Sequence, residues 1–177
     1  MSADQLCDAL SLRTARPEDE GFLREVYAST RQEELALVNW TAAEKAAFVE
    51  MQFRAQDQFY RSQFQAAALQ VIECAGAPIG RLYVDRREDE IRVLDIALLP
   101  ENRGQGIGRY LMRQILAEAD GTGRVVRIHV ERHNPALHLY ERLGFRTTAD
   151  EGVYLLMEWA PSASRIERKQ PSPVAHP

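Results

Sequence analysis

The sequence predicts one mixed α/β domain in which helices cover a mixed sheet. Two observations support this fold class: the hydrophobic period switches between helical spacing and strand alternation, and the predicted elements follow the order β-α-α-β-β-β-α-β-α-β. The strand, helix and strand within residues 90–131 imply a local parallel pair, because parallel neighbours need a crossover connection. A length of 177 residues fits a single domain.

The first half of the chain predicts a strand, two helices and a hairpin. Residues 10–13 alternate weakly between apolar and polar, and Pro17 then suits the start of a helix. Residues 41–44 have the spacing of a capping box, which opens a second helix that extends to about Phe64. Two β-type runs follow, joined by a turn at residues 75–78 that contains Gly and Pro.

The second half predicts strands that alternate with helices. Asp95 interrupts an apolar face of the first of these strands, so that face contains a solitary carboxylate. The predicted bounds are a strand at 90–99, a helix from Ile107 to about Gly121, a strand at 126–130, a helix capped by Asn134 with Pro135 in first position and closed by Gly144, and a strand at 152–159.

Composition and charge narrow the class of protein. Hydrophobic residues make up 45% and charged residues 27% of the chain, as in an ordinary globular protein. The net charge of −4 argues against a general nucleic-acid binder, because such proteins neutralise phosphates with clustered basic residues. Cys7 and Cys74 lack the spacing of metal ligands, so we expect no metal site and a reducing compartment.

The termini and apolar runs bear on location and domain bounds. No apolar run approaches the roughly twenty residues that cross a membrane, and the first residues lack the apolar core of a secretory signal. We therefore expect a cytoplasmic protein with no membrane partner. We divide the chain into an N-terminal segment at 1–9, a domain at 10–160, and a disordered tail at 161–177 that is rich in Pro, Ser, Arg and Lys.

A glycine-rich turn at residues 103–109, with the sequence RGQGIGR, lies between a predicted strand and a predicted helix. The amides that begin a helix suit a phosphate or pyrophosphate, and glycines let such a ligand approach the backbone. The pattern differs from the dinucleotide motif GxGxxG and from the P-loop, which ends in GK[ST]. Taken alone, the three glycines are also compatible with a purely structural turn.

Two stretches of sequence carry a family resemblance. LDIALLPENRGQGIGRYLM at residues 94–112 resembles the acetyl-CoA signature of the GNAT acetyltransferases, and HNPALHLYERLGF at 133–145 resembles their second hallmark helix. Together the motifs span roughly residues 90–147, about a third of the chain. The resemblance implies a central mixed, mostly antiparallel twisted sheet of six to seven strands, flanked by about four helices.

The resemblance also implies roles for individual residues. The backbone around Leu98 would pair with the pantetheine arm of acetyl-CoA, and the Leu98 N–H would polarise the thioester carbonyl. Tyr140 would be the general acid that protonates the departing thiolate. The expected cofactor-binding residues are Ile96, Ala97, Leu98, Arg103, Gly104, Gln105, Gly106, Ile107, Gly108, Arg109 and Asn134.

A base is needed to remove a proton from an ammonium acceptor, and the sequence offers several candidates. Asp95 could accept that proton, or be a structural carboxylate with a partner. His129 is a second candidate, because the ordinary pKa of histidine suits proton transfer, and Glu131 on the same strand face is a weaker third. Tyr140 could likewise be a buried aromatic residue without a catalytic role. His133 and His138 are expected at the surface.

We expect a small-molecule or peptide amine as the acceptor, and the sequence does not specify which. Glu33 and Glu34 could attract an ammonium substrate, or could simply be solvated. The aromatic residues of the second helix could line an acceptor pocket, or belong to the core; they are Phe53, Phe59, Tyr60 and Phe64.

The leading functional hypothesis is transfer of an acetyl group from acetyl-CoA to a primary amine, by direct attack in a ternary complex. Its main rival is a non-catalytic module that binds CoA or acyl-CoA on the same fold. A nucleotide-phosphate binder of another fold is a weaker third hypothesis. A homodimer formed by strand exchange or edge pairing is also expected.

Overall fold

The computed structural model describes residues 9–162, which form seven strands and five α-helices. The strands are β1 (Leu10–Thr14), β2 (Ala68–Cys74), β3 (Ala77–Arg86), β4 (Glu90–Leu98), β5 (Val125–Glu131), β6 (Arg146–Glu151) and β7 (Tyr154–Trp159). The helices are α1 (Glu20–Thr30), α2 (Gln32–Ala36), α3 (Ala42–Gln63), α4 (Ile107–Thr122) and α5 (Leu137–Leu143). The predicted terminal segments at 1–9 and 161–177, and Cys7, lie almost wholly outside the described residues.

The seven strands form one sheet in the order β1-β2-β3-β4-β5-β7-β6. The pairs β1–β2, β2–β3, β5–β7 and β6–β7 are antiparallel. The pair β4–β5 is parallel, with a register from Glu90 opposite Val125 to Val93 opposite Ile128. The predicted mixed, mostly antiparallel sheet and its parallel pair are therefore confirmed, with five described helices where about four were expected.

The chain divides into two compact units. The first contains the residues up to Asp85 together with Leu94–Tyr110, and the second contains Arg86–Val93 together with the residues from Leu111 onward. In the first unit, a core cluster joins α1, α3 and β2 through Leu23, Tyr27, Val49, Phe53 and Val71. In the second unit, the buried apolar side chains include Met112, Ile115, Ala119, Val126, Ile128, Val130, Met157 and Trp159.

Two local features that the sequence predicted, a capping box and a hairpin turn, are present in the structure. At the start of α3, the Glu44 amide donates to Thr41 Oγ1 at 3.2 Å, and the Thr41 amide donates to Glu44 Oε2 at 2.7 Å, which completes the capping box. Between β2 and β3, Ala75 and Gly76 have φ values of 50° and 80°. Two consecutive positive values are typical of a tight hairpin turn whose twist matches that of its strands.

Three local predictions need correction. The helix expected to open at Asn134 begins at Leu137, because the Asn134 side chain accepts from the Ala136 amide at 2.9 Å and forms a turn ahead of the helix. Strand β6 was not predicted, and the strand expected at 152–159 begins at Tyr154. The short helix α2 was not predicted either.

Candidate active site

The glycine-rich turn connects the end of β4 to the start of α4 within the first unit. Gly104 and Gly106 have φ values of 74° and 86°, a region that strongly favours glycine. A β-carbon built on either glycine would meet no atom within 4 Å, so the space above the turn is open. The backbone conformation, and not crowding, is therefore what requires glycine at these two positions.

The start of α4 presents backbone donors beside this open space. The first hydrogen bond of the helix runs from the Tyr110 amide to the Gly106 carbonyl at 2.9 Å. The amides of residues 107–109 therefore precede the helical ladder and lie at the positive end of the helix dipole. Arg109 is exposed in the same turn of helix. These groups fit a pyrophosphate.

Arg103 and Gln105 use their side chains to hold the turn. Arg103 Nε donates to the Leu98 carbonyl at 2.8 Å, while its Nη2 donates to Ser29 Oγ at 2.8 Å and to the Ser29 carbonyl at 3.3 Å. Gln105 Nε2 donates to the Glu101 carbonyl at 2.7 Å. Arg103 thus connects the end of β4 to the end of α1, and its side chain has a structural task that the sequence did not reveal.

The last part of β4 has two edges. One lies next to β3, and the other extends past the end of the hydrogen-bond ladder with β5. That ladder stops at Val93. The Ala97 carbonyl faces β3, because a β-carbon on Gly80 would collide with it. Residues alternate in the edge to which they direct their backbone groups, so Ile96 and Leu98 face the opposite edge. On that edge, the Leu94 carbonyl accepts from the Tyr60 hydroxyl at 3.2 Å.

Asp95 lies in the same segment and forms an ion pair with Arg81 of β3. Arg81 Nη2 donates to Asp95 Oδ2 at 2.6 Å and to Gln56 Oε1 at 2.7 Å. The side chains are 3% and 14% exposed for Arg81 and Asp95, respectively. Burial lowers the pKa of the Arg81 guanidinium, but the attraction and hydrogen bond to Asp95, together with the nearby Tyr83 and Tyr60, leave that pKa above its ordinary value.

Aromatic rings surround this ion pair. The Arg81 guanidinium carbon lies 5.8 Å from the ring centroid of Tyr27 and 5.3 Å from that of Tyr83. Tyr60 packs edge-on against Tyr83 at 5.6 Å. Burial raises the pKa of Tyr83 to about 12, and its hydroxyl has no hydrogen-bond partner in the described structure. The Tyr83 hydroxyl is therefore protonated at neutral pH. Tyr83 contributes an apolar ring beside the ion pair and is not a base.

The remaining predicted residues belong to the second unit. Tyr140 is buried in α5, and its ring packs edge-on against Phe145 at 5.8 Å. Gly144 ends that helix with a φ of 94°, as predicted. His129 is partly exposed on β5 and lies 3.5 Å from Glu151, measured from Nε2 to Oε2. The side-chain oxygen of Asn134 accepts a hydrogen bond within the turn before α5.

The matched family agrees with this arrangement of turn, strand end and helix. Residues 65–147 match the acetyltransferase (GNAT) domain family. This match covers just under half of the chain and supports a GNAT acetyltransferase domain there. The family resemblance predicted from the two motifs is thereby confirmed, and with it the assignment of the chain as an acyltransferase.

Solved structures share the fold of this acetyltransferase. PaiA N-acetyltransferase from Thermoplasma acidophilum, in complex with coenzyme A, has a TM-score of 0.64 and 19% identity, covering 85% of this chain and 98% of that one. An acetyltransferase from Thermus thermophilus has a TM-score of 0.63 and 20% identity, covering 86% and 97%. Spermidine N-acetyltransferase from Vibrio cholerae, in complex with CoA and spermine, has a TM-score of 0.59 and 20% identity, covering 88% and 97%.

The first unit of this GNAT protein brings together most of the residues predicted for its site. Asp95, residues 96–98 and residues 103–109 lie in one continuous stretch there, whereas His129, Asn134 and Tyr140 lie in the second unit. Arg81 and Gly80 were not predicted as site residues from the sequence. Arg81 could have been found by the signal that revealed Asp95, because it is a charged residue between Ile79 and Tyr83 on an apolar strand face.

Several lesser candidates are also placed by the structure. Glu34 pairs with Arg31 at 2.9 Å and Glu33 is exposed. Phe53 belongs to the core, as the simpler interpretation held, whereas Phe59 is exposed. Within residues 9–162, no cluster of His, Cys, Asp and Glu has a geometry that could hold a metal ion. No helix in that range has both the length and the apolar character needed to cross a membrane.

Proposed function

We propose that the protein transfers an acetyl group from acetyl-CoA to a primary amine, by direct attack in a ternary complex. The observation that carries this proposal is the continuity of three features in residues 94–110: a carboxylate, a strand edge and a helix start open to an anion. The ligands of the similar structures support both substrates, because two were solved with CoA and one of these also with spermine.

The proposed donor site runs along β4 into α4. Acetyl-CoA supplies the activated acetyl group as a thioester. The amides of residues 107–109 and the Arg109 guanidinium would hold its pyrophosphate. Backbone groups of Ile96 and Leu98 would pair with its pantetheine arm as an added strand would, and the Leu98 N–H would donate to the carbonyl oxygen as negative charge develops there.

The proposed proton transfers use Asp95 and Tyr140. A primary amine is mostly an ammonium at neutral pH, so a proton must leave the nitrogen before its lone pair can attack. Asp95 would accept that proton, and Tyr140 would donate one to the departing sulfur. The new C–N bond then replaces the C–S bond. The amide nitrogen gives up its second proton, which restores the Tyr140 hydroxyl, so the products are a neutral amide, a neutral thiol and the proton held by Asp95. His129 remains the alternative base.

The donor site is tested by Gly106→Asp with Gly106→Ala as its matched partner. Both side chains strain a backbone with φ of 86°, but only aspartate adds negative charge at the proposed pyrophosphate position. In calorimetric titrations with CoA, we expect Gly106→Ala to weaken binding and Gly106→Asp to abolish it. Gly21→Asp, at an exposed position in α1 with open space around it, is the control. Equal CoA affinity in all of these proteins would contradict the donor site.

The acid role is tested by Tyr140→Phe, which keeps the ring that packs on Phe145 and removes only the hydroxyl. We expect kcat to fall by about 10²-fold or more while the dissociation constant of CoA stays the same. Thiol release across a panel of amines measures turnover. A wild-type protein that binds CoA tightly but acetylates none of the amines would support the non-catalytic module instead.

Three parts of the proposal rest on the sequence alone. Direct attack predicts that Cys74→Ala keeps full turnover, and loss of turnover would favour a covalent route. The homodimer and the cytoplasmic location stay predictions. Light scattering and cell fractionation would test them.

A further inference from the structure

The two oxygens of the Asp95 carboxylate have different surroundings. Oδ2 accepts the 2.6 Å hydrogen bond from Arg81. Oδ1 accepts no hydrogen bond from any described residue, and the side chain keeps 14% of its exposure. One oxygen is therefore fixed by the protein, while the other is left for a group that arrives from outside.

Arg81, the partner of Asp95, is held more firmly than an ion pair alone would require. Its Nη2 is shared between Asp95 and Gln56, and its guanidinium lies between the rings of Tyr27 and Tyr83. With 3% of its side chain exposed, Arg81 has no room to follow a moving partner. The arginine is thus a rigid support for the carboxylate.

The contact is poorly arranged for stability. Arginine and carboxylate bind most strongly through two parallel hydrogen bonds, but here a single nitrogen makes the contact. Arg81 Nε is buried without any partner in the described structure. A buried charge pair with an unsatisfied donor stabilises a fold weakly or not at all, so stability does not explain this geometry.

We propose that Arg81 is a positioning residue, which fixes Asp95 through Oδ2 so that Oδ1 takes the proton of the acceptor ammonium. The inference rests on the proposed acetyl transfer. One proton moves from the ammonium nitrogen to Oδ1, the freed lone pair forms the C–N bond, and the C–S bond breaks. The electron pair of the C–S bond leaves with the CoA sulfur, which takes a proton from Tyr140, and the second proton of the nitrogen restores the Tyr140 hydroxyl. Arg81 keeps its own proton throughout and touches neither substrate.

The decisive experiment is a double-mutant cycle with Arg81→Met, Asp95→Asn and the double variant. If Arg81 acts through Asp95, Arg81→Met lowers kcat by about 10–100-fold in the wild-type background and has little further effect beside Asp95→Asn. The KM for acetyl-CoA should stay the same. Equal factors in the two backgrounds, or an unchanged kcat in Arg81→Met, would overturn the positioning role.

A milder variant keeps the test valid if Arg81→Met does not fold. Gln56→Ala removes only the second acceptor of Arg81 Nη2, and we expect a smaller loss of kcat that also disappears beside Asp95→Asn. Arg92→Met is the matched control, because Arg92, on β4, is also an arginine that pairs with a carboxylate, that of Glu90, at 3.1 Å. Its effect on kcat should be negligible in both backgrounds.

Binding and melting measurements separate the two levels of the argument. Each variant is titrated with CoA and melted, so that loss of the donor site or of the fold is seen apart from loss of turnover. If the wild-type protein acetylates no amine, the proposed function and the inference fall together. If it acetylates an amine but the cycle is additive, the positioning role alone is wrong.

Discussion

Two acidic residues on β4, Glu90 and Asp95, are both shielded from water but are satisfied to different degrees. Glu90 accepts from Arg87 on Oε1 at 3.1 Å and from Arg127 on Oε2 at 2.6 Å, Arg92 forms an ion pair with Oε1 at 3.1 Å, and 4% of the Glu90 side chain is exposed. Asp95 has one arginine on one oxygen. Glu90 belongs to the second unit and Asp95 to the first.

The difference separates a structural carboxylate from one that can do chemistry. Three guanidinium groups occupy both oxygens of Glu90, and Arg127 extends the network to Glu158 at 3.0 Å. Such a carboxylate has no oxygen left for a substrate. Asp95, beside a strand edge, has one oxygen bound by arginine and one free to accept a proton. The number of carboxylate oxygens bound by arginine therefore predicts that replacing Asp95 will lower the reaction rate and that replacing Glu90 will lower the stability of the fold.

The largest expected effect is on turnover, in Asp95→Asn. Removing the base should lower kcat by about 10²–10⁴-fold. The asparagine oxygen can still accept from Arg81, so the melting temperature should change less than the rate does. Steady-state kinetics and thermal unfolding on the same preparation check this. Near-normal kcat would transfer the role of base to His129, which His129→Gln then tests.

The reverse pattern is expected for Glu90→Gln. This variant keeps the shape of the side chain but loses charge-assisted hydrogen bonds, each worth about 1.5–3 kcal/mol. The arginines remain partly exposed and can turn to water, so we expect a loss of about that size in total and a melting temperature lower by several degrees. The kcat per folded molecule should be unchanged, and a large fall would break the distinction drawn above.

The smallest expected effect is the pH response of Asp19, which accepts hydrogen bonds on both oxygens, as Glu90 does, and is 13% exposed. A paired hydrogen bond from Arg13, at 2.7 and 2.8 Å, lowers its pKa from 3.8 to about 2. A carboxyl with a lowered pKa stabilises the fold above its unfolded pKa, and that contribution is lost as the pH falls through its folded pKa.

Unfolding of wild type and Asp19→Asn in urea would measure this contribution. Their difference in stability should be constant above pH 4 and should close between about pH 4 and about pH 2. A difference that persists at the lowest pH would mean that Asp19 stabilises the fold by packing and not by its charge.

The sequence predicted the features that local chemistry imposes. The capping box at Thr41 and the glycines at 104 and 106 follow from hydrogen bonds and backbone angles within a few residues. Strand β6 was not predicted because its sequence, RTTADE, has almost no apolar residues. Most of the residues in this strand are exposed. Hydrophobic periodicity cannot mark a strand that buries so little surface.

The candidate site was predictable only in part, for a related reason. Alternation along β4 singled out Asp95, but its partner lies 14 residues earlier, on another strand. The same alternation does not predict that three arginines bury Glu90. It also does not predict that Arg103 contacts Ser29, 74 residues away. Pairings over such separations depend on how the strands and helices pack, which no local pattern records.

The Arg103 bridge has a consequence for the speed of ligand capture. A flexible turn must first close around its ligand, and that ordering slows association and costs entropy. Here the Arg103 side chain joins the strand end to the end of α1 through hydrogen bonds within the protein itself. Donor capture should then be a single encounter step, whose rate rises in proportion to donor concentration without reaching a plateau set by loop closure.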